Sequence, residues 1–388
     1  MSAPAIQGTC DARFIQVREA FARNFEARGE VGAAVAVELD GTRVVDLWGG
    51  SGDQAKTRPW NRDTIVNVYS STKGMVALCA LTLVEAGRLD LDAPVARYWP
   101  EFAQADKGEI PVRWLLSHRA ALPAVRPLLP DEALYDWSAM TAALAAQAPW
   151  WTPGVRHGYH AVTYGWLVGE VVRRITGKSV GTYFRDVIAG PLGLDFHIGL
   201  ADAEHHRVGQ MSDIPLPEPG SDAEQGLGLI ILSDPEGMAA RAFLNPPSMA
   251  RGPNVPEWRR AEIPGANGHG TARDLARVYG ALASGGRAPL LGPDALALCH
   301  AEQSLGADLV LGLSTRFGHG FMLSQRRADA AFGPNARAFG HPGAGGSVGF
   351  ADPDARLGFG YVMNRMGPHI LLDPRATALI EATYACLG

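Results

Sequence analysis

The chain has 388 residues, 47% of them apolar and 19% charged, with a formal net charge of −5 at pH 7. That balance excludes a disordered chain and gives no electrostatic case for nucleic acid or an anionic membrane surface. No run reaches the ~18 uninterrupted apolar residues a membrane span needs, and Met1–Ile6 lacks the basic-then-apolar order of a signal peptide. The cysteines Cys10, Cys79, Cys299 and Cys386 are scattered without Cys-x-x-Cys spacing. They read as reduced thiols, so a soluble cytoplasmic protein is expected. At this length two subdomains are expected.

From the N-terminus, Asp11 to Arg28 carries Phe14, Val17, Phe21 and Phe25 at helical spacing and stops at Gly29. Gly32–Leu39 and Thr42–Trp48, joined by Asp40-Gly41, predict a β-hairpin with a tight turn. Thr72 to Ala86 is a long Ala/Leu-rich helix closed by Gly87. Further helices are expected over 111–118, 137–148, 161–175 and 181–189. Pro/Gly-rich stretches near 215–228 and 245–264 read as surface or pocket-lining loops. A helix follows over 271–283, then strands over 318–323, 347–352 and 357–364, and a closing helix over 374–386. Strands at both ends around a helical middle predict an α+β fold. One antiparallel sheet would come from the N- and C-terminal segments, flanked by helices, with a mostly helical inserted domain.

Chemistry concentrates at Ser70-Ser71-Thr72-Lys73-Gly74, where the long helix begins. Three-residue spacing on a helix sets the Ser70 hydroxyl and the Lys73 amine on one face. A serine needs a base nearby to become a nucleophile, and a lysine in a dry site can be neutral enough to serve. The helix N-terminus adds free N–H groups where an oxyanion would form. The pair alone reads equally as an N-cap serine and a solvated lysine. Of the four lysines, Lys56, Lys73, Lys107 and Lys178, only Lys73 has a serine three residues before it.

Two other segments join it. Tyr159 lies in a loop ahead of an apolar helix, where its phenol could share proton transfer with Lys73, its pKa lowered beside an ammonium; it reads as well as a packing tyrosine. Phe339-Gly340-His341-Pro342-Gly343-Ala344-Gly345-Gly346 precedes a strand, and its glycines would let backbone approach a substrate, with the Ala344 N–H as an oxyanion donor; a plain glycine-rich turn is the other reading.

The order and separation of these motifs, with Leu47-Trp48-Gly49-Gly50, Glu85-Ala86-Gly87-Arg88-Leu89-Asp90, Leu115-Leu116-Ser117-His118 and Asn267-Gly268-His269-Gly270-Thr271, resemble the serine β-lactamase and penicillin-binding-protein superfamily, and within it the family VIII carboxylesterases. The resemblance implies a sheet domain over 1–75 and 270–388, a helical insert over 76–269, and a site in the cleft between them. It implies Ser70 as nucleophile, Lys73 as activating amine, Tyr159 as acid/base, and Ser70 and Ala344 as the oxyanion hole. His341 and Gly343 fall where lactamases carry Lys-Thr-Gly, and Ala161 where they carry an asparagine. Both departures weaken recognition of an anionic lactam and leave an ester unaffected. The implied activity is hydrolysis of short-chain, small-molecule esters without a cofactor, with weak residual β-lactamase activity. Acyl transfer to an alcohol, as in the lovastatin-synthase type, or a non-catalytic binding protein on the same fold are the alternatives. The oligomeric state is left open.

Other polar groups read blandly. Trp151, with Trp150, lines an acyl pocket or anchors the insert. His205-His206 with Asp202 and Glu204 reads as solvated surface rather than a metal site, and His269 as a helix-start histidine. Gly345-Gly346-Ser347-Val348-Gly349 matches the Gly-x-Ser-x-Gly elbow, but strand rather than helix is expected after Ser347, and His369 is the one histidine downstream.

Overall fold

The computed structural model describes residues 4–215, 231–284 and 290–388. The strands in chain order are β1 Gln7–Cys10, β2 Gly32–Leu39, β3 Thr42–Gly50, β4 Val66–Asn67, β5 His197–Ile198 and β6 Gly268–Gly270. They continue as β7 Ser304–Ala307, β8 Ser314–Phe317, β9 Met322–Leu323, β10 Phe339–Pro342, β11 Val348–Asp352 and β12 Leu357–Met363. Nine of them form one antiparallel sheet in the order β1-β3-β2-β12-β11-β10-β9-β8-β7. The sheet thus joins residues from both ends of the chain, the N-terminal β2 pairing with the late β12. A second sheet of three short strands, β4-β6-β5, lies beside the start of the central helix.

Local chemistry explains the main elements. Asp40 and Gly41 both take positive φ, 51° and 74°, as a two-residue hairpin turn with the strands' own twist requires. β12 reads Leu357-Gly358-Phe359-Gly360-Tyr361, so its glycines share one face. That face receives the helix Ala272–Ser284 so closely that a Cβ on Gly358 would stand 2.1 Å from Gly280 N, and one on Gly360 2.2 Å from Ala272 O. The opposite face carries Tyr361 to the N-terminal helix α1 (Ile15–Ala27) and the C-terminal helix Pro374–Ala385. There Arg375, 4% exposed, bonds Glu30 at 3.0 Å, Asp373 at 2.9 Å and the carbonyl of Gly345 at 2.9 Å.

Helix α2, Thr72–Glu85, is apolar on nearly every face and is correspondingly buried all round. It ends at Gly87 with φ 64°. Helix Thr163–Thr176 packs against it, and helix Trp137–Ala146 packs in turn on Thr163–Thr176.

Several expectations need correction. The strand expected over 318–323 is only Met322–Leu323, because Gly318 and Gly320 turn the chain between β8 and β9, with Phe317 paired to Met322. Phe339–Pro342, read as lying ahead of a strand, is itself strand β10, and His269 sits in β6 rather than at a helix start. The loop expected over 245–264 holds two short helical turns, Pro247–Arg251 and Pro256–Arg260, each opened by a proline that needs no N–H partner. Residues 216–228 of the other expected loop lie outside the described residues.

Candidate active site

β4 runs into a tight turn at Tyr69, whose φ of 44° is uncommon for a bulky residue and costs about 1–3 kcal/mol. Surrounding bonds hold that turn. The Val68 N–H donates to Gly268 O at 2.8 Å, and Ser347 Oγ donates to Val68 O at 2.8 Å. Ser71 Oγ donates to His341 O at 3.0 Å, and the Gly268 N–H donates to Thr72 Oγ1 at 2.8 Å. Ser70 is therefore fixed, half-buried, at the N-terminal end of α2.

Lys73, one turn on, is fully buried. Its Nζ lies 3.0 Å from Ser70 Oγ, 2.6 Å from Ala161 O and 2.7 Å from Gly265 O. No carboxylate pairs with it among the described residues, and burial holds its amine well below the usual 10.5. A neutral amine has two N–H donors and one lone pair. Ala161 O and Gly265 O can only accept, so they take both donors and leave the lone pair facing the Ser70 hydroxyl.

Tyr159, also buried, places its ring centroid 4.7 Å from Lys73 Nζ. Burial pushes its phenol above the ordinary 10, against a hydrogen bond with Ser70 that pulls the other way. The expected lowering beside an ammonium is thus reversed, because burial of the ring outweighs the hydrogen bond. The Tyr159 ring stacks on Phe317 and rests against His118, at 6.1 and 5.0 Å between centroids. Its backbone N–H donates to Asp308 Oδ1 at 3.0 Å. Asp308, buried, also accepts from the N–H groups of Val310 and Leu311 and from Thr315 Oγ1.

Among the described residues, neither the Ser70 nor the Ala344 N–H finds an acceptor, and both residues line one cavity of about 370 Å³. Its wall includes Ile214, Phe243, Leu244, Met249 and Trp258, with Ala161 beside Ser70. The structure thus brings Ser70, Lys73, Tyr159, Ala161 and Ala344 together.

It places the other expected residues differently. His341 is buried, its Nδ1 2.7 Å from Pro342 O and its pKa pushed down to about 3, chiefly by burial. Gly343 is packed where a Cβ would strike Val68 O and Ser347 Oγ, both at 2.2 Å. Trp151 stands apart from the cavity, its Nε1 donating to Arg156 O at 3.1 Å. Ser347, centre of the elbow-like motif, is buried and spends its hydroxyl on Val68 O. Asp202 and Glu204 are occupied by Arg260 and Arg207. The Gly265 carbonyl, Asp308 and the 243–258 wall carry no motif and were missed; only the pocket-lining reading of 245–264 pointed toward the last.

This architecture, with a Ser-x-x-Lys pair at a buried helix start between two sheets, defines a class. Residues 18–383 match the Beta-lactamase family, and the chain belongs to it. "Esterase/beta-lactamase LipL" of Mycobacterium tuberculosis is 34% identical over 381 residues, covering 94% of this chain and 85% of that protein. A penicillin-binding protein homolog from Caulobacter crescentus is 43% identical with a TM-score of 0.89, over 98% of this chain and 100% of that one. A family VIII carboxylesterase is 42% identical with a TM-score of 0.87, over 98% and 100%. No helix among the described residues is long and apolar enough to cross a membrane.

Proposed function

We propose that the chain is a serine carboxylesterase that hydrolyses short-chain carboxylic esters through an acyl-enzyme on Ser70. The observation that carries this reading is the Lys73 amine, dry, without a carboxylate, and 3.0 Å from Ser70 Oγ with both its N–H donors committed to carbonyls. The Ser70 proton passes to Nζ as Oγ attacks the ester carbonyl carbon. The oxyanion settles between the Ser70 and Ala344 N–H groups, which are unengaged and at the positive end of α2. The Tyr159 phenol gives its proton to the departing alkoxide and is reprotonated from Lys73. Water then attacks the acyl carbon as it loses a proton to the same pair, which returns that proton to Ser70 Oγ as the acyl C–O bond breaks and the acid leaves.

In this reading the ester enters between a sheet part, 1–75 and 270–388, and a helical part, 76–269. The similar proteins named as esterases support the substrate class. The four free thiols suit a reducing compartment, and we place the enzyme in the cytoplasm. The test is a p-nitrophenyl ester panel of rising acyl length, with and without a competing alcohol, together with intact-mass detection of an acyl adduct. Turnover with the adduct mapped to Ser70 supports the reading. Absence of turnover and adduct on every ester sinks it, and product diverted to the alcohol ester moves it to acyl transfer.

A further inference from the structure

Among the described residues, few groups set the charge of the cavity. Asp213 and Arg251 are the charged residues among the described ones lining it. Arg251 is already held, its Nη2 2.5 Å from Asp131 Oδ2. Asp213 has no such partner: among the described residues its carboxylate makes no hydrogen bond or ion pair. The sequence from Asp213 to Glu236 contains no lysine or arginine. Burial holds the Lys73 amine well below its usual range, and His341 has a pKa pushed down to about 3. The carboxylate is felt inside the site, where it adds to the upward shift of the Tyr69 phenol, the residue before Ser70.

We propose that Asp213 sorts substrates by charge: the cavity takes esters that bear a cationic group, such as a quaternary ammonium, ahead of neutral isosteres, and rejects anionic ones. The inference rests on the esterase reading and deepens it. A positive group enters toward an unpaired carboxylate and an apolar wall, an arrangement that favours a large, weakly hydrated cation over a small one. An anionic ester meets the same carboxylate and, among the described residues, no unpaired cation to offset it.

Two matched series test this on the whole protein. One varies the alcohol of a butyrate ester: choline, its uncharged isostere 3,3-dimethylbutanol, and 4-hydroxybutanoate. The other varies the acyl chain of p-nitrophenyl esters: 4-trimethylammoniobutanoate, 5,5-dimethylhexanoate and hemiglutarate. In at least one series kcat/KM should fall from cation to neutral to anion, and Asp213→Asn should shrink the cation-to-neutral ratio by about five- to tenfold at low ionic strength. The ratio should collapse in high salt, since Asp213 is exposed. Glu26→Gln, on the exposed side of α1, removes the same net charge and should leave the ratio alone. Ratios unmoved by Asp213→Asn in both series, or an anionic ester that is fastest, overturn the proposal. If no ester turns over, the esterase reading fails. The rates at which cationic and neutral phosphonates label Ser70, in native protein and in Asp213→Asn, then decide the charge rule by themselves.

Discussion

A buried lysine with two carbonyls and one hydroxyl around it has its protonation state decided by desolvation. As an ammonium it could donate to all three, but nothing in contact carries the compensating negative charge. The active form is the amine, so kcat/KM should rise with pH through the lowered pKa of Lys73 and be level well before 10.5. Lys73→Arg keeps the length and stays charged at every accessible pH. It should therefore be inactive across the whole profile, and recovery at alkaline pH would show that a neutral base is not required. Tyr159→Phe, lacking the acid, should lose roughly 10²–10⁴-fold in kcat. Near-native turnover would reduce Tyr159 to a packing ring against Phe317 and His118. Ser70→Ala should abolish adduct and turnover. Ser347→Ala should keep both while losing about 1 kcal/mol of stability, because it strips one buried bond to Val68 O. Ser70 and Lys73 were legible because a nucleophile and its base sit three apart at one helix start, whereas Tyr159 took its role from the resemblance. The Gly265 carbonyl was not, since any residue type supplies a carbonyl and only the fold brings this one to Nζ. Ala161 is instructive in the same way: the sequence reading weighed the side chain it lacks, whereas its backbone is what touches the lysine.

At the scale of elements, the legible ones had either a period or punctuation. The hairpin carried Asp-Gly, and α2 carried a long apolar run closed by glycine. β4, β5 and β9 have two residues each, too few to show alternation, and β4 and β5 pair with β6, far away in sequence. The glycines of β12 were read as strand but not as a docking groove, which needs the helix Ala272–Ser284 in place to be seen. Gly360→Val forces a side chain onto Ala272 O and Leu275 Cβ. Overpacking of that kind should destabilise by about 1–3 kcal/mol, read as a lower Tm. Since no residue of that helix lines the cavity, kcat per folded molecule should change less than Tm. A native Tm would mean that the helix shifts freely on the sheet, contrary to the close packing.

The whole molecule is closed by groups from its two ends. Glu30, Asp373 and Arg375 are buried together, and Arg375 also holds Gly345 O, one residue from the Ala344 N–H. Arg375→Met would leave two buried acids without their cation and should cost about 3–5 kcal/mol. It should also raise the barrier for ester hydrolysis, by loosening the loop that carries the oxyanion donor. Lost stability with an unchanged kcat in the folded fraction would show that the loop is held by the bonds of Gly345 N–H to His369 and of Gly367 N–H to Gly345 instead.

Selectivity is likewise a property of the whole cavity. A β-lactam brings a carboxylate, and its amide carbonyl gains from a side-chain partner. Here His341 is buried and neutral, position 161 offers a methyl group, and the carboxylate of Asp213 lines the wall. One missing charge-assisted hydrogen bond corresponds to about 1.5–3 kcal/mol, so a short p-nitrophenyl ester should exceed nitrocefin by about 10–100-fold in kcat/KM. Installing the cation alone should recover little of that gap. His341→Lys would set a second ammonium in the dry interior that already keeps Lys73 neutral, with no acid beside it, and its principal effect should be a lower Tm. Pairing it with Ala161→Asn and Asp213→Asn gives the lactam a side-chain amide and removes the repelling charge, and this triple variant should show the larger lactam gain. Kinetics on both substrates for the native protein, the single and the triple variant decide the matter: a native preference for nitrocefin, or a full gain from His341→Lys alone, would mean that the buried histidine, and not the charge of the cavity wall, sets the choice between ester and lactam.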